Sequence, residues 1–192
     1  MSEPIDRLAG RPRDPELDAR VVAAVRALLV ESGWEGTTIR QVAERSGVSR
    51  PSIARRWPSK AHLVFEALLG SEPELERFDD TDARGWIDEV IDGSFELFDR
   101  PEMRSAVPGL LAALHDHDDL RAHIWDGFTG PATALVADDT DAVSAAQAVI
   151  VIAAGAALFA AAMVPGDRRA RSMIRSVLRE TLTPALVDVG IR

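Results

Sequence analysis

Between Thr37 and Lys60 six cationic side chains, Arg40, Arg45, Arg50, Arg55, Arg56 and Lys60, stand against a single acid, Glu44. Two kinds of chemistry are open to such a cluster. A guanidinium carries a planar fork of donors that matches O6 and N7 of guanine, a pairing worth about 1–3 kcal/mol of discrimination. A cation beside a helix N-terminus joins a site that already attracts phosphate oxygens, and Lys60, the only lysine of the chain, follows Pro58-Ser59. The molecule as a whole is acidic, with a net charge of −9, but the imbalance is uneven. Residues 1–70 hold 11 Lys and Arg against 9 Asp and Glu; residues 71–192 hold 11 against 22. A phosphate backbone responds to charge within about 10 Å rather than to the total. A basic face on an acidic body therefore remains compatible with a nucleic-acid partner, the plain alternative being a solvated arginine-rich helix face.

Other chemistry has less to stand on. Without Cys the chain makes neither disulfides nor thiolate zinc sites, which fits a reducing cytoplasm. Four His, with no Cys and no Tyr, offer no nucleophile–base constellation, so neither an enzyme nor a cofactor is expected. His115-Asp116-His117-Asp118-Asp119, with His123 nearby, has metal-ligand types. Consecutive positions at a helix end do not converge on one ion, so the run reads as a solvated loop and no metal is expected. Residues 1–14 contain no apolar run of signal-peptide length, which argues against export.

The elements that must position the cluster read as all-α. Asp14-Pro15-Glu16 opens a first helix, with Val21, Val25, Leu28 and Leu29 at helical spacing, and Ser32-Gly33 ends it. Thr38-Ile39-Arg40-Gln41 is a capping box for a short second helix running to Ser46. Gly47-Val48 turns, Ser49 caps a third helix with Pro51 in its first turn, and that helix stops near Trp57 because Pro58 follows. Ser59 caps a fourth, carrying Leu63, Val64, Ala67 and Leu68. The polar stretch Gly70–Thr81 is the best boundary, and amphipathic segments follow at about 82–99, 101–115, 118–137, 140–164 and 167–188. The expected division is a basic arm over 1–14, a helix-turn-helix domain over 15–70, and a helical domain of about five helices over 71–192.

Two short helices joined by a Gly-containing turn form a helix-turn-helix, whose second helix offers its N-terminal residues to base edges in the major groove. Here that helix is Arg50 to Trp57, with Lys60 as a phosphate clamp and Thr38 as a hydroxyl donor to the backbone. The run TTIRQVAERSGVSRPSIARRWPSKAHLV (Thr37 to Val64) and the upstream ALLVESGWEG resemble the DNA-binding domain of the TetR family, over about residues 15–69. The resemblance implies that Arg40, Arg50, Pro51, Ser52 and Arg56 approach bases or adjacent phosphates, and that Thr38, Trp57 and Lys60 hold the backbone. Ala54 stands where the family usually has a Tyr, leaving Arg55 and Arg56 to compensate. The arm Arg7–Arg13 has two readings, insertion into the adjacent minor groove or a solvated tail.

Ala142–Val164 holds no charge in 23 positions, long enough to span a bilayer. Its alanines, and the lack of flanking aromatic or cationic belts, favour a buried helix and no membrane. The resemblance implies a homodimer built on the last two helices (about 140–188), with Met173, Ile174, Val177, Leu178 and Leu182 on the final one. It also implies a palindromic duplex DNA operator, repression, and a small apolar or amphipathic ligand held between about 82 and 137. The large apolar candidates there are Trp86, Phe95, Phe98 and Met103, then Leu110, Trp125 and Phe128.

Overall fold

A computed structural model describes residues 15–70, 75–137 and 139–187, which form nine α-helices, one 3₁₀ turn and no strand among them. The helices are α1 (Pro15–Gly36), α2 (Ile39–Ser46), α3 (Arg50–Arg56), α4 (Lys60–Leu69), α5 (Ala83–Asp99), α6 (Pro101–Ala113), α7 (Asp118–Thr133), α8 (Thr140–Met163) and α9 (Arg168–Val187). The expected helices are all present, and the basic arm lies outside the described residues. Two differences are local. Gly33, at φ 67°, kinks α1 rather than ending it, and one further turn runs to Gly36. Within the stretch read as a boundary, Leu75–Phe78 forms the 3₁₀ turn.

Capping explains why the short helices form where they do. Thr38 Oγ1 accepts from the Gln41 N–H at 3.2 Å while Gln41 Oε1 accepts from the Thr38 N–H at 3.2 Å, satisfying two otherwise orphaned donors. Ser49, Ser59, Asp82 and Asp139 do the same for α3, α4, α5 and α8 with one side chain each. Such caps are each worth about 0.5–2 kcal/mol, and on helices of seven to ten residues they decide the boundaries.

The apolar residues gather in two clusters that cut across the chain order. The first joins Val21, Val25 and Leu29 of α1 to Val42, Ile53 and Leu63, and takes in Met103, Ala106 and Leu110 of α6 and Leu120 of α7. The N-terminal helices are thus seated directly on α6 and α7. The second cluster packs Trp86, Ile87 and Ile91 of α5 on the small residues Ala146, Ala153 and Ala157 of α8. Alanine lets the two helices approach closely. Along its other side α5 is locked to α9 by ion pairs: Arg179 with Asp88 and Asp92, both at 2.8 Å, and Arg171 with Asp99 at 2.5 Å. α8 is long and apolar enough to cross a membrane by length and composition, and one side of it lies in this second cluster.

Candidate nucleic-acid interface

The turn between α2 and α3 is built from residues that only a few side chains could replace. Gly47 sits at φ 70°, ψ 15°, the left-handed region a Cβ disfavours, and its N–H closes α2 onto the Ala43 carbonyl at 3.1 Å. Ser46 Oγ then accepts from the Val48 N–H at 3.2 Å. Val48 and Ile53 fill the apolar underside and fix the angle at which α3 leaves the body.

What α3 presents outward is compact. Arg50, Pro51, Ala54 and Arg55 are exposed on one side of the helix, with Ser52 half-buried beside Ser49. Among the described residues neither Arg50 nor Arg55 has an ion pair or hydrogen bond from its side chain. Arg40 on α2 is exposed and holds only a loose 3.8 Å pair with Glu44. These three guanidiniums keep most of their hydration and charge available to an incoming anion.

The remaining expected contact residues are placed differently. Trp57 is a core residue, 3% exposed, and its indole N–H donates to Glu66 Oε2 at 2.8 Å. The expected backbone contact is corrected: Pro58 ends α3, so the chain turns and carries the ring under α4 rather than toward solvent. Arg56 is turned back to Asp18 of α1 at 2.9 Å, with its side chain 17% exposed. It ties the reading helix to α1 in place of the expected outward contact. Thr38 is exposed, but its hydroxyl donates to Gln41 Oε1 at 2.8 Å within the capping box. Lys60 reaches the Trp34 carbonyl and lies 4.2 Å from the centre of the Trp34 ring. Burial there pulls its pKa below the usual lysine value, against the attraction of Glu35. Asp18, Glu66 and Trp34 carried no sequence signal for these roles, because each partner is 9 to 38 positions away with no local pattern to announce it.

Of the residues expected to enclose a ligand, Phe128 lines the cavity that the structure places beside the end of α4. That cavity, of about 210 Å³, has walls that include Leu68, Leu69, Phe78, Leu97, Phe128 and Ile150. Trp86 and Phe95 are fully buried in the second cluster, the Trp86 N–H on the Ala132 carbonyl at 3.0 Å and Phe95 beneath Arg171 and Arg175. Met103 and Leu110 belong to the first cluster, Phe98 touches both, and Trp125 is 46% exposed. Large apolar residues at helical spacing fill the core first, and the cavity forms where smaller aliphatic chains leave a gap. In the run expected to be solvated, His115, Asp116, Asp118 and Asp119 are exposed, while His117 packs edge-on against His62 of α4 at 5.5 Å and Asp119 lies 3.1 Å from His62.

An all-helical body with an exposed cationic helix-turn-helix at one end defines the class of helix-turn-helix regulators. Residues 21–67 match the family described as bacterial regulatory proteins, tetR family, and this N-terminal part of the chain is a TetR-family domain. It is 34% identical over 62 residues to the HTH-type transcriptional regulator YdeS of Bacillus subtilis, covering 32% of this chain and 31% of that protein. It is 40% identical over 60 residues to the HTH-type transcriptional repressor KstR of Rhodococcus jostii, covering 31% of this chain and 27% of that one. The chain thus matches about a third of the length of these curated relatives. Over the whole length the fold is similar to a TetR transcriptional regulator from Rhodococcus sp. RHA1, with TM-score 0.68 and 17% identity, covering 91% of this chain and 97% of that one.

Proposed function

We propose that the protein is a transcriptional repressor that binds a palindromic operator as a homodimer and leaves it when a small molecule enters the cavity beneath α4. The observation that carries the reading is the exposed pair Arg50 and Arg55 on α3, unspent among the described residues of a molecule with net charge −9. In this reading Arg50 reads a base, Pro51 and Ser52 lie against the groove, and Arg40 and Arg55 meet phosphates. Thr38 and Lys60 sit at the edge, where Lys60 exchanges the Trp34 carbonyl for a phosphate oxygen. The DNA-binding unit is residues 15–70 and the remainder is the sensing and dimerising unit.

The dimer has a surface to form on. Val151, Ile152 and Phe159 of α8 are exposed, as are Met173 and Val177 of α9, each at 43% or more. A patch of that kind marks an association surface, and a two-fold axis through it sets two reading helices about one turn of DNA, roughly 34 Å, apart. A DNA partner places the protein in the cytoplasm. The related KstR is named a repressor, which supports the sign of regulation.

Selection of bound sequences from random duplex DNA tests the reading. The expected product is a palindrome with half-site centres about 10 base pairs apart. Arg50→Ala is expected to lose about 1–3 kcal/mol at one base position and to relax preference there. Recovery of no enriched sequence, or a variant that selects as the parent does, overturns it.

A further inference from the structure

The cavity beneath α4 has one polar corner, where the Arg77 side chain is committed at Nε and Nη2 but not at Nη1. Arg77, on the 3₁₀ turn, donates from Nε to Glu89 at 2.8 Å and from Nη2 to Glu96 at 3.2 Å. The Ser94 hydroxyl donates to the Val90 carbonyl at 2.7 Å. Arg77 Nη1 lies over Gly93 of α5 and donates to nothing among the described residues. A Cβ at position 93 would stand 2.8 Å from it, so the missing side chain is what gives the guanidinium its seat. Arg77 and Gly93 both line the cavity.

The charges around this corner cancel. Arg77 and Arg100, the latter exposed at the end of α5, are matched by Glu89 in the wall and by Glu96 on the far side of Arg77. An anionic ligand would stand beside Glu89 of the wall, with Glu96 also on Arg77, and meet the repulsion of both carboxylates. A cationic ligand would find both carboxylates engaged. A neutral acceptor leaves this charge balance unchanged and can take the Arg77 Nη1 donor, which has no acceptor among the described residues. The rest of the wall is aliphatic or aromatic, and the volume of about 210 Å³ is below the roughly 300–1,000 Å³ of sites for drug-sized molecules.

We propose that the cavity takes a small, uncharged, mainly apolar molecule with a single carbonyl acceptor, an aliphatic ketone or ester, whose oxygen accepts from Arg77 Nη1 above Gly93. This rests on the reading of the cavity as the effector site and adds the chemistry that the effector must have. A hydrogen bond from a charged donor contributes about tenfold to a hundredfold in affinity in a site of this kind.

The test is calorimetric titration of the full chain, without DNA, using 2-octanone, octanoate and octylammonium as probes. The ketone is expected to bind at least tenfold more tightly than either charged analogue. Arg77→Met would strand Glu89 and Glu96 and endanger the fold. The informative variant is therefore Gly93→Ala, which keeps α5 helical and displaces only the tip of a flexible side chain. It is expected to retain the parent's helical circular dichroism and melting behaviour and to lose at least tenfold in ketone affinity. A charged probe that binds as well as the ketone, a Gly93→Ala variant that binds the ketone as the parent does, or no binding by any probe overturns the proposal. Adding 2-octanone to the selected operator complex separates this from the reading of release: ketone binding with no loss of DNA sinks the release and leaves the ligand class standing. DNA binding without any probe binding does the reverse.

Discussion

The contact between Trp34 and Gly109 offers a sharp test of how the reading domain is held to the body. The Trp34 indole lies flat on Gly109 of α6, so closely that a Cβ there would stand 2.0 Å from Cδ2 and 2.2 Å from Cγ and Cε2. Carbon atoms meet comfortably at about 3.5 Å, so Gly109→Ala forces the ring back by about 1.5 Å. The ring is part of the α1–α6 packing, and Lys60 rests on its face. Overpacking of this size costs about 1–3 kcal/mol, and disturbing the cation–π contact adds about 0.5–1 kcal/mol. Against this, replacing a mid-helix glycine by alanine contributes about 1 kcal/mol in favour of folding. The net expectation is a loss of about 0.5–3 kcal/mol, or roughly 1–12 °C in Tm for a chain of this size, measured by scanning calorimetry at fixed protein concentration. Gly127→Ala is the control: the nearest atom to its Cβ is Phe65 Cζ at an ordinary 3.6 Å, so it is expected to gain up to about 1 kcal/mol. A Gly109 variant that melts at or above the parent temperature refutes the packing argument, since that is the outcome of an unobstructed helix glycine.

Two further outcomes follow from the side chains that turned inward. Trp57→Phe keeps the buried ring but removes the donor to Glu66, leaving a half-buried carboxylate unpaired. Urea denaturation is expected to show a loss of about 1–3 kcal/mol, while the salt dependence of DNA binding stays as in the parent; a reduced salt slope at unchanged stability would restore a backbone contact for this residue. Lys60 titrates almost alone at alkaline pH, because the chain has one lysine, no tyrosine and no cysteine. Burial holds its folded pKa below the unfolded value of 10.5, opposed by Glu35. Between those two values the unfolded chain binds the extra proton, so stability is expected to rise with pH through that window. The rise disappears in Lys60→Met; a flat urea midpoint across the same range in the parent counts against the buried placement.

The parts legible in the sequence are those that local chemistry decides. Thr38, Ser49 and Ser59 each cap a helix with their own side chain, Gly47 alone tolerates the turn, and Pro51 and Pro58 bracket α3. Each of these signals acts within four residues, so the helix-turn-helix could be drawn before any tertiary contact was known. Which cations remain free could not. Arg56 finds Asp18, Arg45 takes Glu31 with two bonds at 2.6 and 2.7 Å, and Lys60 finds Trp34, each choice made by a neighbour brought close only by folding. The cavity was hidden for a related reason: its polar corner comes from Arg77, in a stretch with no periodicity, and from the space above a glycine. The same partner choice shapes the electrostatics of the whole molecule. Arg171 and Arg179 of α9 are spent on acids of α5, and Arg175 lies 3.7 Å from Asp92. In α3 Arg56 is likewise spent, and two guanidiniums are left over. These α9 pairs hold helices together inside an acidic body, whereas on α2 and α3 the positive charge open to a duplex is that of Arg50, Arg55 and the loosely paired Arg40, and its small extent is what makes the orientation of α3 matter.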